Sequence, residues 1–363
     1  MENTTSFPLS LANSSGPYED HYEYYDDYSS NETTALLKKM HILTMVIYSL
    51  AFVLGVMGNG LVIFITGFRM KRTVNTVWFL NLAVADFIFT FFLPLSVAYV
   101  ALGFHWPFGR ALCKLNSTVA FLNLYASVYL LMIISIDRYV SVMHPVWAKN
   151  HRTPRLASFL ALGIWILAFV LCSATLYFRS TVSPPHDNRI IHCFNDFDTA
   201  GEGTTKEERQ YWISLNSRAI IISRFIFGFL IPFTVIVGCY SAIVLKLRWN
   251  RLAHSSKPFK VIAAVIVTFF LCWFPYHVFS FLEMNYRPEL RIVLIIGIPL
   301  TSSLAFINSF LNPFLYVFMG KDFKDKLRRS FLSAFESSFS EEASSNTTNI
   351  RSKSTTESDS HAL

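Results

Sequence analysis

A single carboxylate, Asp86, lies in the middle of an apolar stretch of the chain. A charged side chain at the centre of a bilayer costs roughly 2.5–3.5 kcal/mol on insertion scales, so Asp86 is expected to face polar partners inside a helix bundle. One carboxylate among neutral oxygens suits a small hard cation such as Na⁺, but a water-filled hydrogen-bond network fits the same spacing, and both interpretations stay open. The predicted partners come from two other apolar stretches: Asn123, Ser127, Asn308, Ser309 and Asn312.

Arg224 is the other anomalous charge deep within an apolar stretch, eight residues before Pro232. A guanidinium at this depth needs an anionic partner, and two alternatives remain. One is an internal ion pair with Glu283. The other is an open cationic site for the carboxylate of a ligand, which we favour because ionisable groups within a membrane usually serve function. The other candidate ligand-binding residues are Asn116, Leu124, Tyr276, His277 and Ser302.

A charged cluster, Asp137-Arg138-Tyr139, marks the point at which the third apolar stretch ends. A helix that only faces lipid would lack such a cluster. Four further aromatic residues lie either near Pro275 or toward the same end of the bundle as Arg138, and plain core packing could explain all of them. They are Phe269, Trp273, Tyr240 and Tyr316.

Membrane-spanning helices must position these residues. The chain has 363 residues, of which 53% are hydrophobic and only 15% are charged, and this is too apolar for an ordinary water-soluble protein. A formal charge of +7 could suggest a nucleic-acid partner, but the basic residues fall in short loops between apolar runs, which is the pattern that sets orientation in a membrane. The composition therefore predicts an all-α integral membrane protein and excludes a nucleic-acid binder.

Seven apolar runs are each near or above the ~20 residues that a helix needs to cross a bilayer. They predict a seven-transmembrane helix bundle over residues 40–318, preceded by a polar tail over 1–39. Four of the runs contain a proline at which a kink is expected, namely Pro94, Pro232, Pro275 and Pro313. The runs are 40–67, 75–100, 111–143, 155–178, 212–247, 258–284 and 291–318.

The loops after the first, third and fifth runs carry clusters of basic residues, so these loops are predicted to be cytoplasmic. Seven crossings then place the N-terminus outside and the C-terminus inside. Cys113 and Cys193 both border apolar runs on the outer side, where an oxidising compartment allows a disulfide between them. That bridge would tie the second outer loop over the top of the third helix.

The tail over 1–39 is predicted to be disordered and extracellular. Three N-x-S/T sequons agree with this side of the membrane, because glycosylation occurs only there. Tyrosines embedded in acidic residues predict an anionic docking strip for a basic protein ligand, strengthened if they are sulfated, whereas the alternative is an inert spacer. The sequons are at Asn3, Asn13 and Asn31, and the tyrosines are Tyr18, Tyr22, Tyr24, Tyr25 and Tyr28.

Two segments follow the seventh run. Phe323, Leu327 and Phe331 recur every four residues among basic side chains, which predicts a short amphipathic helix over 319–335 on the lipids of the inner membrane surface. Residues 336–363 are rich in serine and threonine. They predict a disordered cytoplasmic tail whose phosphorylation recruits a partner, the alternative being an inert tail.

Motifs in seven places make residues 40–335 similar to the rhodopsin-like (class A) G-protein-coupled receptors. The resemblance implies an outward-opening ligand pocket, a sixth helix that swings on activation and a G protein at the inner face. It also implies that Asp137 holds Arg138 at rest, that two tyrosines take Arg138 on activation, that Trp273 is the switch below the ligand, and that the Asp86 cluster is an inhibitory sodium site. The motifs are Gly58-Asn59, LAVAD ending at Asp86, Asp137-Arg138-Tyr139, Trp165, Pro232, Cys272-Trp273-Phe274-Pro275 and Asn312-Pro313-Phe314-Leu315-Tyr316.

Longer stretches resemble the chemoattractant branch of these receptors, which includes the chemerin, formyl-peptide and complement anaphylatoxin receptors. Examples are PVWAKNHRT from Pro145 and FFLCWFPYH from Phe269. The acidic tail and Arg224 are most similar to the chemerin receptor group, in which Arg224 would take a peptide's C-terminal carboxylate. The resemblance implies a plasma-membrane receptor that signals through inhibitory G proteins, with receptor kinases and arrestin, in leukocyte chemotaxis and inflammation.

Rival classes lack the residues that they require. A retinal-binding light sensor needs a lysine in the seventh run and an amine receptor needs an acid at Ala120, and the chain has neither. Inverted repeats, paired catalytic residues and an H-E-x-x-H site are also missing from the sequence, so we expect neither a transporter nor an enzyme, and no cofactor beyond Na⁺. The receptor alternatives that stay open are a formyl-peptide or anaphylatoxin receptor, a receptor for a carboxylic lipid mediator and a scavenger that does not signal.

Overall fold

A computed structural model of the chain describes residues 31–183, 189–201, 203–249, 257–285 and 287–319. It gives the backbone alone at 31–34, 248, 257–262, 288, 291 and 315–319. Nine α-helices lie in this part of the chain: α1 Asn31–Phe64, α2 Val74–Ala101, α3 Gly109–Met143, α4 Pro145–His151, α5 Pro154–Phe178, α6 Lys206–Phe225, α7 Ile231–Trp249, α8 Lys257–Met284 and α9 Arg291–Met319.

Seven segments of these helices are long and apolar enough to cross a membrane, and each overlaps one of the predicted runs. The fifth segment joins α6 and α7 through a π-helical turn, Ile226–Leu230. The predicted seven-transmembrane bundle is therefore confirmed. The sequons Asn3 and Asn13, the side chain of Asn31, the five tail tyrosines, the amphipathic helix over 319–335 and the tail over 336–363 lie outside the described residues, Met319 excepted.

Short polar caps begin several of the helices. Thr73 and Thr76 form a reciprocal capping box at the start of α2, and Thr205 and Glu208 form one at the start of α6. Thr153 accepts a hydrogen bond from the Leu156 amide at the start of α5, where a proline occupies the first helical position. These side chains satisfy backbone amides that the helices leave without a partner, and so fix where the short loops turn back into the bundle.

Helix α3 forms the centre of the bundle and packs against α2, α5 and α7. In its most apolar stretch 72% of the residues are buried, compared with 28% in α5, so α3 can place side chains in the interior at every level. Polar side chains join the surrounding helices. Asn59 on α1 donates to the Ser309 carbonyl on α9 at 2.8 Å, and Trp165 on α5 donates to Asn81 on α2 at 2.9 Å.

Three of the four predicted kink prolines lie inside helices α2, α8 and α9, together with Pro299, which was not predicted. The fourth, Pro232, lies in the first turn of α7, directly after the π-helical turn. Proline has no amide hydrogen to donate back along the helix, and a widened turn is one way to absorb that loss. Gly228 in this turn lies against α3, where a Cβ would be 3.4 Å from Leu124.

A two-stranded antiparallel hairpin, β1 Arg179–Val182 and β2 His192–Asn195, covers one end of the bundle. We call this end the hairpin face, and the opposite end, which carries the short helix α4, the α4 face. The predicted disulfide between Cys113 and Cys193 is present and ties β2 to α3. His192 contacts the Phe104 carbonyl at 3.2 Å, and burial is the main cause that lowers the pKa of His192 below its ordinary value.

Gly297 marks a close contact between the end of α8 and the start of α9. A Cβ on Gly297 would lie 1.7 Å from the Phe279 ring, so a side chain there must displace that ring. We expect Gly297→Ala to cost about 1–3 kcal/mol, since overpacking forces side chains out of their preferred rotamers. The melting temperature of the receptor in lipid discs should fall accordingly.

Two companion variants make the Gly297 prediction specific. Gly163→Ala on α5 is the control, because nothing lies within 4 Å of its Cβ, and it should leave the melting temperature the same or higher. Phe279→Ala removes the ring that would clash, so the double variant should regain the melting temperature of Phe279→Ala alone. A Gly297→Ala variant as stable as Gly163→Ala would contradict the predicted clash.

Candidate functional site

A cavity lies among α2, α3, α8 and α9 and beneath β1. Its walls are mostly apolar and aromatic, with a few polar groups, which is typical of sites that bind small molecules or peptide ends. Three of the predicted ligand residues lie in its wall, namely Asn116, Tyr276 and Ser302. Asn116 is held by a hydrogen bond of 3.2 Å to Ser96 on α2.

Arg179 also lies in the cavity wall, and sequence analysis missed it. It is the first residue of β1 and its side chain is buried, with 2% of the residue exposed. In the sequence it directly follows the fourth apolar run, so it reads as an ordinary basic residue of a loop. The hairpin turns it inward instead, because β1 pairs with β2 and β2 is bonded to α3 through Cys193. The cavity therefore contains a guanidinium suited to an anionic group.

Arg224 is buried next to the cavity but is not part of its wall. Its guanidinium lies 3.6 Å from the centre of the Phe121 ring and donates to the Thr175 hydroxyl at 3.2 Å. Phe121 does line the cavity, so its ring separates Arg224 from the space that a ligand would fill. Among the ion pairs of the described residues, none joins Arg224 to Glu283, which was the alternative to a ligand site.

The three remaining predicted ligand residues also lie outside the cavity wall. Leu124 is fully buried in the core and packs near Gly228 of the π-helical turn. His277 lies among aromatic rings, with centroid distances of 5.8 Å to Phe225 and 5.2 Å to Phe229. Glu283 is on the last turn of α8. The sequence alone does not show which interior surface a residue of a membrane-spanning helix faces.

The polar cluster around Asp86 is assembled largely as predicted. Asp86 is fully buried and accepts a hydrogen bond of 2.8 Å from the Asn312 amide. With its side-chain nitrogen toward Asp86, Asn123 donates to the carboxylate at 3.2 Å and accepts from Ser309 at 2.9 Å; the same nitrogen lies 3.2 Å from the Ser127 hydroxyl. Asn308 is also buried, and among the described residues its Oδ1 has no hydrogen-bond partner.

The predicted switch aromatics occupy separate levels of the bundle. Trp273 lines the cavity and contacts Tyr276 and Phe269, with ring centroids 5.7 and 6.0 Å apart. The Tyr240 hydroxyl, on α7, is buried without a hydrogen-bond partner in the described part of the chain. The backbone of Tyr316 belongs to α9, and its side chain lies outside the described residues.

At the α4 face, Asp137 is paired mainly with a residue that sequence analysis did not consider. Arg152, between α4 and α5, donates to both carboxylate oxygens of Asp137 at 2.8 and 3.0 Å. The expected partner, Arg138, is 4.0 Å away from this carboxylate and donates instead to the side-chain oxygen of Asn75. Arg152 donates to the same oxygen at 2.7 Å. One carboxylate and one amide thus serve two arginines.

A sequence profile described as "7 transmembrane receptor (rhodopsin family)" matches residues 58–316. The chain belongs to this receptor family. Among its relatives, the chemerin-like receptor 1 of Sus scrofa is 43% identical over 339 residues, which cover 90% of this chain and 92% of that receptor. The chemerin-like receptor 1 of Homo sapiens is 45% identical over 337 residues, with 91% and 89% covered. The C3a anaphylatoxin chemotactic receptor of Danio rerio is 43% identical over 326 residues, with 90% and 85% covered.

These relatives confirm the predicted chemoattractant branch of the rhodopsin family. Members of the family are multi-pass membrane receptors that bind an extracellular ligand and couple to a G protein, and they are not enzymes. For this rhodopsin-family chain the cavity beneath the hairpin is therefore the candidate ligand site, and the α4 face, at the opposite end, is the candidate G-protein site.

Proposed function

We propose that this receptor binds the free C-terminal carboxylate of a chemerin-like peptide in the cavity beneath the hairpin. The observation that carries the proposal is the buried guanidinium of Arg179 in an otherwise largely apolar wall. A carboxylate that enters a low-dielectric cavity needs a charged partner, and an arginine offers two parallel hydrogen bonds to it. Arg224 adds a second positive charge behind the Phe121 ring. The names of the chemerin-like relatives agree with such a ligand.

The proposal includes an orientation in the plasma membrane. The hairpin face and the N-terminus are outside, where the sequons Asn3, Asn13 and Asn31 are glycosylated. The acidic tyrosine tail, with sulfate on its tyrosines, attracts a basic protein ligand and so speeds association. The ligand's terminal peptide then enters the cavity.

The α4 face is cytoplasmic in this proposal and couples to inhibitory G proteins. Receptor kinases phosphorylate the serine- and threonine-rich tail over 336–363, and arrestin binds the phosphorylated form. The segment over 319–335 lies on the lipids of the inner membrane surface. The biological output is chemotaxis of leukocytes in inflammation.

The Asp86 cluster is the proposed site of an inhibitory Na⁺ ion. Its donor set fits that ion, because a buried carboxylate is surrounded by hydroxyl and amide groups and forms no ion pair with a basic side chain among the described residues. Asp86, Asn123, Ser127 and Ser309 would hold it, with Asn308 and Asn312 beside them. The ion would supply a positive charge that stabilises this packing of α2, α3 and α9.

Sodium dependence of ligand binding tests the cluster. If Na⁺ favours the resting packing, raising it from about 1 mM to about 150 mM at constant ionic strength should lower agonist affinity severalfold. Asp86→Asn keeps the size of the side chain but removes the charge, so agonist affinity should become independent of Na⁺. Potassium replaces Na⁺ in the control titration. A native receptor whose agonist affinity ignores Na⁺ would mean that the cluster is a hydrogen-bond network alone.

A second candidate ligand is an anaphylatoxin peptide. The Danio rerio relative is named for such a ligand, and its sequence identity to this chain is nearly the same as that of the chemerin-like receptors. The deciding experiment measures nucleotide exchange on inhibitory G proteins by the native receptor in lipid discs. The probes are C-terminal peptides of chemerin and of C3a, an N-formyl peptide and a long-chain carboxylic lipid. We expect the chemerin peptide to be the most potent agonist. A larger response to another probe would reassign the ligand, and binding without exchange would indicate a scavenger.

A further inference from the structure

Both oxygens of the Asp137 carboxylate are engaged by the single guanidinium of Arg152. Only 11% of the Asp137 side chain and 29% of the Arg152 side chain are exposed, so solvent screens this two-bond ion pair less than a surface pair. Arg138, the next residue on α3, makes only a single, longer contact of 4.0 Å with this carboxylate.

Arg152 is itself held by the backbone on both sides. Its amide donates to the Ala148 carbonyl at 2.9 Å and closes the C-terminal end of α4. The next residue, Thr153, caps the start of α5. The guanidinium therefore connects the joint between α4 and α5 to α3 through Asp137 and to α2 through Asn75.

Removing the Arg152 charge has two physical consequences. First, α4 loses its side-chain link to the end of α3. Second, Asp137 is left with Arg138 as the nearest described cation, at 4.0 Å, while Arg138 no longer shares the Asn75 oxygen with a competing donor. A buried carboxylate does not stay unpaired at low cost, so Arg138 is drawn toward Asp137.

We propose that Arg152 is a positioning residue for G-protein coupling, which keeps Asp137 occupied so that Arg138 stays available and α4 stays docked against α3. The inference rests on membership of the receptor family and is independent of the ligand proposed above. Arg152 acts through Asp137, and the sequence triplet Asp137-Arg138-Tyr139 alone does not contain the third charge of the network. Replacing Arg152 should therefore reduce coupling while leaving the ligand cavity intact.

Amide hydrogen exchange of the ligand-free receptor in lipid discs measures the docking of α4. We expect Arg152→Gln to raise the amide hydrogen-exchange rate of residues 145–151 about tenfold, because local opening of α4 no longer has to break the ion pair with Asp137. Arg155→Gln, which changes an exposed arginine three residues away, is the matched control and should leave those rates unchanged. Equal exchange rates in the two variants would overturn the proposal, and so would faster exchange across the whole bundle.

Nucleotide exchange on a G protein, normalised to receptor number, measures the effect on coupling. Arg152→Gln should lower the rate of nucleotide exchange about three- to tenfold relative to Arg155→Gln. Arg152→Lys should restore part of that rate, since an ammonium still pairs with the carboxylate. In an Asp137→Asn background, Arg152→Gln should have no further effect, because the two residues act as one unit. The same loss in both backgrounds would show that Arg152 does not act through Asp137.

Discussion

Replacing Arg179 by glutamine is expected to weaken binding of the free-acid form of a chemerin-derived C-terminal peptide by at least about 30-fold. Loss of one partner of a buried, hydrogen-bonded charge pair typically costs about 2–5 kcal/mol, and each 1.4 kcal/mol is a factor of ten in affinity. The amidated form of the same peptide carries no C-terminal charge, so its affinity should differ by less than about threefold between the native receptor and Arg179→Gln. Competition binding with both peptides on native and variant receptors measures the difference.

Two further arginines provide the comparisons for Arg179→Gln. Arg224→Gln should have a smaller effect, about fivefold, because the Phe121 ring lies between Arg224 and the cavity and only the longer-range charge is lost. Arg110→Gln changes an exposed arginine at the end of α3 nearest the hairpin, and this variant should bind the free-acid peptide with native affinity. If Arg224→Gln had the larger effect, the carboxylate would reach past Phe121, and Arg179 would not be its anchor.

Removing the disulfide should have the second large effect. Cys113→Ser frees β2 from α3, while Arg179 in β1 pairs with Asn195 of β2 and stays bonded through its amide to Thr175 at the end of α5. Native disulfides typically contribute about 2–4 kcal/mol, so the hairpin is expected to loosen and the Arg179 side chain to lose its fixed direction into the cavity. Binding of the free-acid peptide should fall to the background level in receptor that still reaches the membrane.

Cys239→Ser is the control for the disulfide, since it removes a partly exposed free thiol from α7. It should bind the peptide normally. Protease cleavage of the chain between β1 and β2, in intact cells or lipid discs, should become faster in Cys113→Ser alone, because β2 is no longer bonded to α3. A Cys113→Ser receptor with native peptide affinity would contradict the role of the hairpin in forming the site.

The fold was largely predictable from sequence because the bilayer imposes a length and a composition on each helix. The seven runs, the disulfide and most of the Asp86 cluster follow from one-dimensional patterns. The way in which the fifth membrane-spanning segment continues through Pro232 was harder to predict. Proline predicts a kink, but the compensating π-helical turn depends on how Gly228 packs against Leu124 on α3.

The ligand site was predicted less well, for a physical reason. The sequence shows that Arg179 directly follows the fourth apolar run and that Arg224 lies well inside the fifth, but it does not show the direction in which either side chain points. Arg224 lies against Phe121, whereas Arg179 is turned into the cavity by the pairing of β1 with β2, which the disulfide holds to the distant Cys113. The partner of Asp137 was missed similarly, because Arg152 is brought to it by the short helix α4.

The most direct test of the proposed function compares the free-acid and amidated forms of one chemerin-derived peptide as agonists. Nucleotide exchange on inhibitory G proteins is measured with the native receptor in lipid discs. We expect the free acid to be at least about 30-fold more potent than the amide, since only the acid provides a charge for Arg179. Equal potency of the two forms would contradict a receptor that recognises a terminal carboxylate.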